Sequence, residues 1–350
     1  MTAAFDDLLA RAVARTDYVR CSPFGVGGVG GHKEWLHFCV LAPGLDLLVN
    51  FSLSDDVRAG ASRGAEHARL TVLVHDREWD GDVDTFSADD VRVAAGRIDL
   101  AFGDETCEFR DGAYHVRAWL RERPVAVEFV ARPATEPALA PNIPLSDGPP
   151  LHWVVVPRLL ATGRATVGGR TVEFTDALAY HDHNWGHFLW GQDMAWEWGF
   201  SLPADPAVPW SLAFVRLTNR ARTHALAQGL FLWKRHRQHR VYRERGVAMH
   251  PDRTFLRPAR VPKIPRVMAL LSPDLPTDVP RAVDMVATGD GDELRCRFDA
   301  VDLAQVVIPS EAGVGVTVIN EVRGTLAVDG SVGGERVAFT GRAIFELLGA

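Results

Sequence analysis

Short runs in which apolar and polar residues alternate recur along almost the whole chain, and such a chain can bury its apolar atoms only as strands. Val49, Phe51 and Leu53 share one strand face; Leu70, Val72 and Val74 share another. Tyr114, Val116, Ala118 and Leu120 form a third set, and Val125, Val127 and Phe129 a fourth, because successive side chains on a strand point to opposite faces. The alternation returns at Leu294, Cys296 and Phe298, at Val314, Val316 and Val318, and at Val337, Phe339, Phe345 and Leu347. Asp80-Gly81, Asp111-Gly112, Gly168-Gly169 and Gly333-Gly334 punctuate the runs as turns. Phe5, Leu8, Leu9 and Val13 recur instead at helical spacing and predict a short amphipathic helix over residues 3–15. Many short strands with little helix predict an all-β protein of barrels or sandwiches.

The chain has 350 residues, enough for two domains. A net charge of −7 argues against a nucleic-acid partner. Cys21, Cys39, Cys107 and Cys296 form no C-x-x-C pair, so neither a zinc ribbon nor a redox pair is signalled. Gly25, Gly27 and Gly30 spell G-x-G-x-x-G, but a dinucleotide site needs a helix after the motif and a strand-like run follows at residues 34–41. A glycine loop is expected there, and no cofactor. The first twenty residues carry Asp6 and Asp7 and lack the apolar core of a signal peptide, so a cytoplasmic protein is expected. Residues 131–150 are rich in proline and read as a long loop or crossover. Residues 234–245, KRHRQHRVYRER, read as a solvated hairpin tip. Their alternative is peripheral contact with an anionic membrane that carries a lipophilic substrate. Residues 251–276, rich in proline and arginine, look irregular. The polar stretch at Asn219 suggests a division into an N-terminal extension (1–20), a first domain (21–220) and a second (221–350).

Residues 180–202, YHDHNWGHFLWGQDMAWEWGFSL, concentrate titratable and aromatic side chains. From Val172 the even positions (Val172, Phe174, Leu178, Tyr180) are the more apolar and are expected to face the core. If the strand is unbroken, Asp182 then points inward beside Tyr180 and Asn184, and His181 and His183 share the other face. A bulge at Asp176 would reverse this parity. In the next segment Met194, Trp196, Trp198, Phe200 and Leu202 alternate with small or polar residues, which predicts an aromatic inner face.

GGRTVEFTDALAYHDHNWG, preceded by LHWVVVPRLLATGRATV, resembles the signature region of the carotenoid 1,2-hydratase (hydroxyneurosporene synthase) family. Its superfamily also includes AttH-type proteins and fungal Diels–Alderases. KEWLHF near the start, and INEVRGTLAVDG and GRAIFELLG near the end, extend the resemblance in outline over most of the chain. It implies two lipocalin-like β-barrels in tandem with a hydrophobic pocket. It also implies that Asp182 protonates a carbon–carbon double bond.

Such a step needs a carboxylic acid still protonated near neutral pH, and an ordinary aspartate, with a pKa of about 3.9, is not. Burial would raise that value. A carbocation would then lie against tryptophan faces, for which Trp185, Trp196 and Trp198 are candidates, with Trp190, Phe200, His181 and His183 as further lining. Tyr180 and Asn184 would orient the acid or hold water. Asp182 could equally cap the turn at Asn184-Trp185-Gly186, and aromatic residues at strand spacing are often core. His181, His183 and His187 lack a matching cysteine or carboxylate cluster, so no metal is expected. Three readings follow. The first is a cofactor-independent lyase or isomerase that hydrates or cyclises a polyene or isoprenoid by acid initiation. The second is a pericyclase that folds a polyketide-derived polyene. The third is a non-catalytic carrier of a lipid or terpenoid.

Overall fold

The computed structural model describes residues 3–20, 32–55, 66–145, 149–188, 194–203, 205, 207–258, 260–309 and 315–349. The chain divides into two compact units, one of Met1–Ile143 with Gly148–Phe188 and one of Pro144–Asp147 with Leu189–Ala350.

The first unit opens with helix α1 (Ala3–Thr16), as its helical spacing predicts. Twelve strands follow: β1 (His32–Ala42), β2 (Leu45–Asp55), β3 (Glu66–His75), β4 (Trp79–Ser87), β5 (Val91–Val93), β6 (Asp99–Phe102), β7 (Glu105–Arg110), β8 (Ala113–Trp119), β9 (Val125–Pro133), β10 (Ala138–Ile143), β11 (Leu151–Val167) and β12 (Arg170–His187). They form one sheet in the order β4-β3-β2-β1-β12-β11-β9-β8-β7-β6-β5, with β10 added to β11. The sheet curls until its two ends meet over one core. Phe86 of β4 and Val91 of β5 belong to the same buried cluster, and the rings of Phe86 and Phe102 lie 5.5 Å apart. Val13 of α1 and Val19 fill the same core, so the amphipathic helix covers the barrel with its apolar stripe. The proline-rich stretch read as a loop contains β10; its first residues pair with Val155, Val154 and Trp153.

The second unit holds β13 (Ala195–Leu202), β14 (Trp210–Thr218), β15 (Ala225–Lys234), β16 (Arg237–Arg243), β17 (Val247–Pro251), β18 (Lys263–Ile264), helix α2 (Met268–Leu271), β19 (Ala282–Gly289), β20 (Asp292–Pro309), β21 (Val316–Val332) and β22 (Glu335–Gly349). Its order is β16-β15-β14-β13-β22-β21-β20-β19-β17, with β18 on β20. In both units the first strand pairs with the last, and a meander runs outward from each. Glu34-Trp35 of β1 and Glu197-Trp198 of β13 occupy matching places in this plan. The contact division falls after Phe188, ahead of the boundary that the polar stretch at Asn219 suggested. β13 and β14 belong to the second sheet because β13 pairs with the C-terminal strand β22, a partner that no local pattern reveals.

Gly199 faces the second core. A Cβ built there would stand 2.4 Å from Phe345 and 2.7 Å from Phe214, two rings of that core whose centroids lie 4.5 Å apart. Gly199→Ala is therefore expected to destabilise the protein by about 1–3 kcal/mol through overpacking, read as a lower urea midpoint at unchanged slope.

Candidate functional site

A bulge decides which way the aspartate strand faces. Between Ala161/Ala177 and Gly163/Phe174 the register of β11 and β12 shifts by one residue. Asp176 sits in that bulge at φ 49, and its N–H donates to Thr162 Oγ1 at 3.1 Å. Phe174 before the bulge and Ala177 and Ala179 after it all face the first core. The unbroken parity expected from sequence is thus corrected: beyond Asp176 the odd residues point into the barrel. His181 and His183 face the core, and Tyr180, Asp182 and Asn184 occupy the opposite face of the sheet. The two groupings themselves persist, because they depend only on spacing within the strand.

On the outward face Asp182 is nonetheless buried, 3% exposed. Tyr180 donates its hydroxyl to Asp182 Oδ2 at 2.9 Å, and Asn184 Nδ2 donates to Oδ1 at 3.0 Å. The Trp153 indole N–H donates to the same carboxyl. Burial pushes the carboxyl up to about 7; these three donors and the nearby His183 charge oppose that shift without overcoming it. At that value the Asp182 carboxyl is about half protonated near pH 7, and its oxygens are held by side chains of β11 and β12. Trp35 and Trp153 flank Asn184 in register from the two neighbouring strands, so they share the aspartate's face. His37 lies directly opposite Asp182. Its Nε2 is 3.2 Å from Cys39 Sγ and its Nδ1 3.3 Å from Asn50 Nδ2. Burial, then the His181 charge, holds His37 down at about 3, so this imidazole is neutral.

The inward face carries a second polar cluster. Asp17, just past α1, accepts from His181 Nε2 at 2.9 Å, from His183 Nδ1 at 2.6 Å and from the Tyr114 hydroxyl. His183 Nε2 donates to Glu34 Oε1 at 2.7 Å, and the Arg20 backbone N–H reaches the same oxygen at 2.9 Å. With a carboxylate on each ring nitrogen, His183 must donate from both. Burial alone would disfavour the charged ring, but the two carboxylates override it and raise His183 to about 9. Burial likewise works against the Asp17 anion, and the two histidines outweigh it, holding Asp17 well below the usual carboxylate range. His181 also stacks on Phe38, with ring centroids 4.1 Å apart. Among the described residues no group of three or more histidine, cysteine or acidic side chains is placed to hold a metal ion.

The structure brings Asp182, Tyr180 and Asn184 together, as spacing suggested, and separates the aromatic candidates. Trp185 belongs to the histidine face, where it stacks with His152 at 5.1 Å and lies 3.4 Å beneath the Arg20 guanidinium. It does not share the carboxyl's face, because it is an odd residue beyond the bulge. Trp196, Trp198 and Phe200 belong to the second unit. They lie on one face of β13, opposite Gly199 and the core, which corrects the expectation of an aromatic inner face. Phe345 and Phe214 already fill the core side of β13, so its large residues have only the other face. Trp196 Nε1 donates to Glu346 there. Trp190 and the Gly25, Gly27 and Gly30 motif lie outside the described residues. Sequence reasoning did not find Asp17, Glu34, Tyr114, His37, Trp35 or Trp153. KEWLHF contains three of them, and only the pairing of β1 with β12 reveals their role.

No family model matches the chain, and no curated protein does. Solved structures do. An AttH structure from Nitrosomonas europaea is 17% identical, covers 93% of this chain and 99% of its own, and superposes with a TM-score of 0.62. Kievitone hydratase from Nectria haematococca is 11% identical over 91% of this chain and 89% of its own, with a TM-score of 0.58. CghA solved with Sch210972 is 11% identical over 90% and 87%, with a TM-score of 0.59. Across nine-tenths of its length, this chain has the all-β fold shared by AttH, kievitone hydratase and CghA.

Proposed function

We propose that the protein is an enzyme that protonates a carbon–carbon double bond of a lipophilic polyene or isoprenoid, with Asp182 as the acid. The observation that carries this reading is the buried Asp182 carboxyl, held up to about 7 and oriented by Tyr180, Asn184 and Trp153. Two relatives in fold support a small lipophilic substrate: one is a hydratase, and another was solved with the small molecule Sch210972.

The π electrons of the alkene take the Asp182 proton and form a new C–H bond, leaving a tertiary cation and the Asp182 carboxylate. Water adds to the cation through its oxygen and returns a proton to that carboxylate, so the net reaction is addition of water. Capture by a second alkene of the same substrate, followed by loss of a proton to Asp182, gives a ring instead. Trp35 and Trp153 stand on the carboxyl's face, and an indole face attracts a cation by about 0.5–2 kcal/mol. A neutral His37 opposite Asp182 adds no positive charge to oppose the developing cation.

The test is deuterium incorporation from D2O into acyclic polyprenyl alkenes, followed by mass spectrometry across pH. The acid must be protonated, so the rate is expected to be highest below about 7 and to fall roughly tenfold per pH unit above it. A rate that rises between pH 6 and 8 would exclude Asp182 as the proton donor.

A further inference from the structure

The excursion between β17 and β19 carries a feature that the reaction does not use. Of the seven exposed large hydrophobic side chains among the described residues, four cluster here: Phe255, Val267, Leu270 and Leu271 are 41%, 51%, 82% and 69% exposed. All four lie within residues 253–271, RTFLRPARVPKIPRVMALL, a span with four arginines, one lysine and no acidic residue. Asp252 and Asp274 only flank it. Arg253, Arg257, Arg260 and Arg266 are exposed. The Arg257 guanidinium donates to the Leu256 and Thr277 carbonyls and lies over the Phe255 ring.

The span is held in place at its neck. β18 pairs with β20 through Lys263/Gln305 and Ile264/Val306. Gln305 Nε2 donates to Pro276 O at 3.0 Å, and Lys263 Nζ bonds to Pro273 O. Beyond this neck the one-turn helix α2 presents Leu270 and Leu271 outward. An apolar tip on a span that carries four exposed arginines and no acidic residue matches a bilayer with an anionic surface, where leucine enters the acyl boundary and each arginine stays with the headgroups. The basic hairpin at residues 234–245 is a weaker candidate. It carries no exposed large hydrophobic side chain.

We infer that residues 253–271 dock the protein on an anionic lipid surface, with Leu270 and Leu271 inserted and Arg253, Arg257, Arg260 and Arg266 on the headgroups. The inference does not depend on the reaction proposed for Asp182. Such docking would place the enzyme where lipophilic substrates reside.

The test is co-sedimentation of the full chain with vesicles at low salt. Vesicles of equal parts phosphatidylglycerol and phosphatidylcholine are expected to bind at least tenfold more tightly than phosphatidylcholine alone, since each arginine contributes roughly fivefold. Leu270→Ser with Leu271→Ser is expected to weaken binding to the mixed vesicles at least tenfold. Arg253→Glu with Arg266→Glu is expected to reduce it to the level of phosphatidylcholine alone. Arg237→Glu with Arg243→Glu, in the hairpin, is expected to change little. All six side chains are exposed, so unchanged melting curves should accompany these changes. Wild-type protein that binds no vesicle would overturn the proposal and leave the patch to a protein partner. Binding that survives both changes in the span, or that the hairpin variant abolishes, would overturn it too.

Discussion

An Asp182→Asn variant is expected to lose turnover of polyprenyl alkenes by about 10²–10⁴-fold, the usual range for removing a general acid, while the first unit stays folded. The amide can still accept from Asn184 or Tyr180 but has no proton to give. Residual turnover within tenfold of wild type would move the reading to a pericyclase, in which Asp182 only orients the substrate. The same variant tests the protonation state without any substrate. The folded carboxyl titrates at about 7 and the ordinary one at 3.8, so the folded protein holds this proton more tightly. That contribution to stability is complete below about 4 and is lost as pH rises through about 7, at up to about 1.4 kcal/mol per pH unit. Asparagine has no such window. Urea unfolding from pH 4 to pH 8 should therefore show the variant gaining on wild type as pH rises. Parallel curves would mean that the buried carboxyl is already ionised.

Asp17→Ala should be the most destabilising single change in the first unit, at about 3–5 kcal/mol, because it leaves buried charge without its partner. His181, His183 and Tyr114 would lose their common acceptor inside a hydrophobic core. For a unit of this size the melting temperature should fall by roughly 10 °C. A pH signature separates this cause from a simple cavity. His183 is raised from 6.5 to about 9 in the folded state. Its contribution is therefore complete below about 6.5 and is lost as pH rises through about 9. In the variant one of the two carboxylates that sustain the charge is gone, so this alkaline loss should shrink. Thermal melts followed by circular dichroism at pH 6 and pH 9 would measure both effects. A fall under 1 kcal/mol would show that Glu34 and Arg20 sustain the cluster without Asp17.

The β architecture was legible because alternation is local: a strand with one face in a core must repeat every two residues. The grouping of Tyr180, Asp182 and Asn184 was legible for the same reason. The direction of that group was not. One residue at Asp176, bulged at φ 49, turned the whole segment over. Nothing in its neighbours demands the bulge; it forms because Phe174, Ala177 and Ala179 all reach one core. The aromatic face of β13 was misjudged similarly. Trp196, Trp198 and Phe200 look like a core stripe, but Phe214 of the next strand and Phe345, far along the chain, already occupy that side.

By itself the sequence determined most of the strands, their turns, the helix and the grouping of Tyr180 and Asn184 with Asp182. Each of these follows from backbone geometry over a few residues. The tertiary structure alone decided the rest. It set His183 against Asp17 and Glu34 across separations of 166 and 149 residues, and it brought Trp153 and His37 to the aspartate. It also removed the water that would otherwise keep Asp182 ionised. A pKa of about 7 for an aspartate is a property of its surroundings, and those surroundings exist only after distant strands have paired.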